Sequence, residues 1–135
     1  MIPALDLNDG YTIPQLGLGT YPLKGADASR VVATAIEIGY RHIDTAMRYD
    51  NEAAVGEGIR VSGVDRDDLF VTTKLDGEFQ GGDRAVDGLR GSLDRLGLDY
   101  VDLLLIHWPL PARGEFVNTW QTFEFLRAEG LARSI

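Results

Sequence analysis

Leu16-Gly17-Leu18-Gly19-Thr20-Tyr21-Pro22 is a short apolar run interleaved with small residues and stopped by a proline. It reads as a buried strand whose C-terminal end lets something approach its backbone closely. A glycine pattern at a strand end raises the dinucleotide-binding sheet, in which Gly-x-Gly-x-x-Gly opens the next helix. Here the third glycine is missing, because Pro22 stands in its place, and no Gly-x-x-x-x-Gly-Lys-Ser/Thr occurs in the chain.

Outward from this stretch the same unit recurs. Upstream, Leu5-Asp6-Leu7 and Tyr11-Thr12-Ile13 flank Asn8-Asp9-Gly10, a hairpin signal, and Pro14 stops the second arm. Downstream, Val31, Val32, Ala35 and Ile36 fall at helical spacing between a cap at Asp27 and Gly39. Arg41 to Asp44 is the second strand. Asp50 or Asn51 then caps a helix bearing Ala54, Val55, Gly58 and Ile59 and closed by Gly63. Asp68 to Lys74 is the third strand, followed by a helix from Asp83 with Val86, Leu89, Leu93 and Leu96 on one face and Gly97 at its end. Val101 to His107 is an apolar strand of the kind covered on both faces, and Val117, Trp120, Phe123 and Leu126 mark a fourth helix.

Strands beginning near Leu16, Arg41, Leu69 and Val101 repeat every 25 to 32 residues with a helix in each interval. Lacking a phosphate fingerprint, such a run of βα units favours the eight-fold barrel over the doubly wound sheet. The expected fold is therefore α/β, a (β/α)8 TIM barrel, to which this chain contributes a hairpin (5–14) and about four βα units within one domain, 1–135. A closed barrel takes about 250 residues. The expectation is thus an N-terminal half, truncated before strand five, with open parallel edges at the first and fourth barrel strands through which it could self-associate.

Composition narrows the partners. With 44% hydrophobic and 25% charged residues the chain is ordinary globular material, and 21 acids against 13 bases give a net charge of -8. That disfavours nonspecific nucleic-acid or anionic-membrane binding. There is no cysteine for disulfides or thiolate metal sites. The start lacks a basic segment followed by an apolar core, and no window approaches the roughly 18 apolar residues of a membrane span. The expectation is a cytoplasmic protein acting on small molecules.

In such barrels the site lies at the C-terminal ends of the strands. Asp44, Lys74 and His107 each end or nearly end a different strand, and Tyr49 follows Asp44 in the next loop. A free phenol, with a pKa of about 10, holds its proton too firmly to be a ready acid at neutral pH. An ammonium about 4 Å away, at an effective dielectric near 20, interacts by roughly 4 kcal/mol, enough to lower that value by about three units. Lys74 offers such an ammonium, Asp44 a carboxylate to keep it charged, and a neutral His107 a donor to a substrate oxygen. Singly, each has a plainer reading: Asp44 a turn or cap, Tyr49 a half-buried rim residue, Lys74 a snorkelling chain, His107 a core histidine. His42, deeper on the face of Asp44, reads as packing. A metal-dependent hydrolase built on His42, Asp44 and His107 is the third alternative, short of ligands and without work for Lys74 and Tyr49.

These residues resemble the aldo-keto reductases, most closely the bacterial 2,5-diketo-D-gluconate reductase type. The matching segments are Leu16 to Thr20, Gly39 to Ala46, Tyr49-Asp50-Asn51-Glu52 with Val55-Gly56, Thr72-Thr73-Lys74-Leu75, and Val101-Asp102-Leu103 through His107-Trp108-Pro109. The resemblance implies NADPH-dependent reduction of aldehydes and ketones, with Tyr49 as proton donor, Lys74 lowering its pKa, Asp44 supporting Lys74 near the nicotinamide ribose, and His107 orienting the carbonyl. It implies Gly19, Thr20 and Tyr21 beside the cofactor, Tyr21 and Trp108 lining the substrate pocket, no metal, and a monomer for the intact barrel. Two departures stand out. Asp76-Gly77 replaces an aromatic residue common after the Lys-Leu pair, and a Gly-Val-Ser-Asn segment with further cofactor-holding loops is implied after Ile135. The 135 residues alone are therefore expected not to be a competent reductase, and a truncated homologue serving as a binding or assembly module is the alternative function.

Overall fold

The computed structural model describes residues 2–135. A hairpin of β1 (Ala4–Asp6) and β2 (Thr12–Pro14) opens the chain, with Leu5 opposite Ile13. Its turn is wider than a two-residue Asp-Gly turn. The Leu7 N–H reaches the Tyr11 carbonyl at 2.8 Å, and Gly10 supplies the positive φ of 90°. Pro14 is the last residue of β2 and not its stop, a place where proline is tolerated.

Five parallel strands follow: β3 (Gly17–Gly19), β4 (His42–Asp44), β5 (Phe70–Leu75), β6 (Val101–Ile106) and β7 (Ala132–Ser134). They lie side by side in chain order. Between them run α1 (Gly25–Glu37), α2 (Glu52–Ser62), α3 (Gly82–Leu96) and α4 (Phe116–Ala128). A strand order without reversal has no switch point, so every right-handed crossover lays its helix on the same side. The helices accordingly touch in series, α1 to α2, α2 to α3 and α3 to α4. This is the wall of a (β/α) barrel, a partial one.

The core lies between strands and helices, where Ile43, Val71 and Leu104 meet Ile36, Val55, Leu89 and Phe123. Packing is closest around α2. A Cβ on Gly56 would lie 2.1 Å from the Leu96 carbonyl oxygen, and one on Gly58 would lie 2.6 Å from that of Ser29. Each helical glycine costs about 1 kcal/mol relative to alanine. Here the cost is offset by letting α2 wedge between both neighbours.

Two expectations are corrected. On α4, Phe123 and Leu126 are buried, but Val117 and Trp120 are exposed. The helix is turned so that Thr119 faces inward, where its hydroxyl accepts the Gly81 N–H at 2.8 Å. The fifth strand is also present: β7 pairs with β6 through Val101 opposite Ala132 and Leu103 opposite Ser134. Gly130, at φ 80°, ends the α4 turn and sends the chain directly back to the sheet. The outer strands are thus β3 and β7, and the fourth barrel strand is interior. Among the described residues no helix is long and apolar enough to cross a membrane.

Candidate active site

Adjacent parallel strands in register bring their C-terminal ends to one rim. Asp44 pairs with Thr72 on β5, and Lys74, two residues further, shares its face. The Lys74 ammonium donates to Asp44 Oδ1 at 2.7 Å, to the Thr45 carbonyl at 2.8 Å and to the Tyr49 hydroxyl at 3.4 Å. Its three protons thus have three acceptors. The Lys74 side chain is 14% exposed and that of Asp44 32%. Oδ1 of Asp44 is occupied by the lysine, which leaves Oδ2 uncommitted among the described residues.

Tyr49 ends a single helical turn, Met47–Tyr49, and Asp50 behind it adopts a left-handed conformation at φ 50°. Lys24, at the head of α1, donates to the Tyr49 carbonyl. Around the phenol, His107 presents an edge-to-face contact at 5.7 Å and 83°, and Tyr21 a tilted one at 5.3 Å. His107 follows β6 directly, its N–H bonded to the Leu75 carbonyl at 3.2 Å. Its imidazole stacks on Trp108 at 6.1 Å and 7°. Burial, then the nearby Lys74 charge, pushes His107 below the ordinary histidine value, so the ring is neutral at pH 7. Its Nδ1 is buried with no hydrogen-bond partner.

The structure therefore brings Asp44, Tyr49, Lys74 and His107 together, with Tyr21 (70% exposed) and Trp108 (61% exposed) beside them. Gly19 ends β3, and the space a Cβ would take there is open. Thr20 lies beneath the rim: its N–H donates to the Asp44 carbonyl at 3.0 Å and its buried hydroxyl to Thr45 Oγ1 at 3.0 Å. His42 lies lower still, bonded through Nε2 to Thr72 Oγ1 at 3.0 Å and edge-on to Phe70. Among the described residues no three His, Asp or Glu side chains are grouped to hold a metal ion. Where the sequence departs from the family aromatic, Asp76 pairs with Arg48 at 3.4 Å. A Cβ on Gly77 would lie 2.3 Å from Leu110, so this corner of the rim is polar and closely packed.

Under the rim lies a buried polar layer that motif and spacing do not point to, made of Thr45, Asn51, Glu52 and Thr73. Of the two caps expected for α2, Asp50 or Asn51, it is Asn51 that stands at the N-cap, but its side chain makes no cap bond. The available signal was chemical: a carboxylate three residues after Tyr49 and two threonines beside Lys74 in β5.

The model of the aldo/keto reductase family matches residues 15–135. The chain is 50% identical over 134 residues to 2,5-diketo-D-gluconic acid reductase B of a Corynebacterium species, covering 99% of this chain and 48% of that protein. Its structure superposes on an aldo/keto reductase from Brucella melitensis with a TM-score of 0.95 and 46% identity, covering 98% of this chain and 52% of the other. On a Bombyx mori aldo-keto reductase solved in complex with NADP the TM-score is 0.89 at 44% identity, covering 98% and 48%. The chain spans about half the length of the relatives it matches.

Proposed function

Because this chain belongs to the aldo/keto reductase family, we propose that it forms the first half of a barrel that reduces aldehydes and ketones to alcohols with NADPH, and that Tyr49 is its proton donor. The observation that carries this reading is the single ammonium of Lys74 shared between Asp44 Oδ1 and the Tyr49 hydroxyl, with the His107 ring against the same phenol.

NADPH, when bound, supplies the hydride that reaches the carbonyl carbon. Tyr49 delivers its hydroxyl proton to the carbonyl oxygen, so that one hydride and one proton make the alcohol and solvent reprotonates the phenolate. Lys74 stabilises the negative charge that grows on the Tyr49 oxygen. Asp44 pairs with the Lys74 ammonium at 2.7 Å and fixes it beside the phenol in a largely buried site. Its second oxygen is suited to accept a ribose hydroxyl, and the open backbone at Gly19 admits a flat group close by. These features fit the cofactor, and the Bombyx mori relative was solved with NADP. For His107, a proton on the sealed Nδ1 would be an unpaired buried donor. The neutral ring therefore carries it on Nε2, from which it donates to the substrate oxygen and orients it toward Tyr49.

The test compares the full-length protein with these 135 residues alone. The full-length protein is expected to consume NADPH only when an aldehyde or ketone is added. The 135 residues are expected to show no carbonyl-dependent consumption and no tight NADPH binding in a fluorescence titration. A full-length protein that leaves NADPH untouched across a panel of small carbonyls contradicts the assignment.

A further inference from the structure

Asn51 and Glu52 follow the Tyr49 turn at the head of α2, and both are buried. A carboxylate without water costs several kcal/mol unless its charge and lone pairs are met. A helix start requires no such burial, and neither side chain serves as a cap. From the places their hydrogen bonds end, we propose that Asn51 and Glu52 are positioning residues that clamp Tyr49 against Lys74, an inference that rests on Tyr49 being the proton donor.

Apart from the bonds to Arg95, the bonds of the clamp end on, or close to, groups of the rim. Glu52 Oε1 accepts the Thr73 hydroxyl at 2.6 Å, and Thr73 immediately precedes Lys74 on β5. Glu52 Oε2 accepts Arg95 Nε at 2.9 Å and Nη2 at 2.7 Å, which ties the same corner to α3. Asn51 Oδ1 accepts the Thr45 hydroxyl at 2.9 Å, and the carbonyl of Thr45 is itself an acceptor for Lys74. Asn51 Nδ2 donates to the carbonyls of Thr20 at 3.1 Å and Leu23 at 3.0 Å. Those two bracket Tyr21, whose ring packs on Tyr49. The loop that carries the phenol is thereby pinned to three different strand ends, one of which carries the ammonium.

Fixing both side chains removes freedom that Tyr49 would otherwise have relative to Lys74. The 3.4 Å contact between them is the longest of the three bonds made by the ammonium, so it is the one most easily lost when the loop drifts. A displacement of about 1 Å at such a site costs up to about a hundredfold in rate.

The experiment uses the full-length protein with Thr73→Val, Thr73→Ser, Asn51→Ala and Glu52→Gln, alongside Tyr49→Phe. Valine keeps the shape of Thr73 but removes the hydroxyl that Glu52 accepts, whereas serine keeps the hydroxyl. Thr73→Val and Asn51→Ala are expected to lower kcat about ten- to hundredfold while NADPH affinity and carbonyl KM stay near wild type. The solvent deuterium isotope effect on kcat should rise as proton delivery becomes limiting, and Thr73→Ser should restore both. Circular dichroism establishes folding, and Glu52→Gln gives the same readout if one of the others does not fold. Folded variants with unchanged kcat and isotope effect, or Thr73→Ser as impaired as Thr73→Val, overturn the clamp. If Tyr49→Phe itself keeps its turnover, the proton-donor reading fails first and the clamp falls with it.

Discussion

Two ion pairs sit at opposite ends of the same sheet and are built to different ends. At the floor, Asp102 is the second residue of β6, and its side chain is 6% exposed. Its Oδ2 accepts Arg66 Nη2 at 2.6 Å and the Val71 N–H at 2.8 Å, and its Oδ1 faces Arg133 at 3.4 Å. The Tyr100 ring lies between the two guanidinium groups, at 4.1 and 4.0 Å. Arg66 also donates to the Leu69 carbonyl, and Tyr100 and Arg133 to Asp67, so that Arg66 Nε alone of these polar atoms is buried without a partner. At the rim, Asp44 keeps one oxygen uncommitted, Tyr49 offers its hydroxyl beside an ammonium, and a histidine is held neutral. Charge whose carboxylate oxygens are both committed holds strands together, whereas charge left partly uncommitted at strand ends is available for chemistry.

Breaking each pair separates the two roles. Asp102→Ala leaves Arg66 mostly buried without its carboxylate and frees the Val71 N–H, and it is expected to cost about 3 kcal/mol in chemical denaturation. Asp44→Asn changes a side chain that water already reaches and leaves Lys74 two other acceptors, so its stability cost is expected to be smaller, about 1 kcal/mol. An equal loss from both would remove the distinction.

The smallest effect is in the pH dependence, and it too divides by end. His42 and His107 are both held below the ordinary 6.5 by burial. As pH falls below about 6.5, the unfolded chain takes up protons that the folded chain refuses, so stability declines with falling pH in that window. At the floor, Asp67 is held below 3.8 by hydrogen bonds from Tyr100 and then Arg133, so its contribution is present above that value and lost only in stronger acid. His107→Gln should flatten the slope just below pH 6.5 and leave the acid limb unchanged, as read from denaturation midpoints across pH. A slope that is the same with and without His107 would mean that the rim histidine is not held neutral.

The rim was legible in the chain because parallel strands in a barrel end at one face, so Asp44, Lys74 and His107 needed only their strands to be recognised. Tyr49 followed from its loop. The phase of α4 was not legible, because Val117 and Trp120 look as buriable as Phe123, and the bond between the Gly81 N–H and Thr119 joins residues distant in sequence. Ala132-Arg133-Ser134 carries little strand propensity, and its place in the sheet comes from pairing with β6. Asn51 and Glu52 read as ordinary helix-start polar residues, and their burial depends on strands that are distant in sequence.

The central claim is that the phenol beside Lys74 delivers the proton, and Tyr49→Phe in the full-length protein tests it most directly, with turnover and NADPH affinity measured on the same preparation. Turnover is expected to fall by about 10²- to 10⁴-fold, the share owed to general acid catalysis, while NADPH binds as before. A folded Tyr49→Phe variant that reduces carbonyls at the unaltered rate would contradict the account.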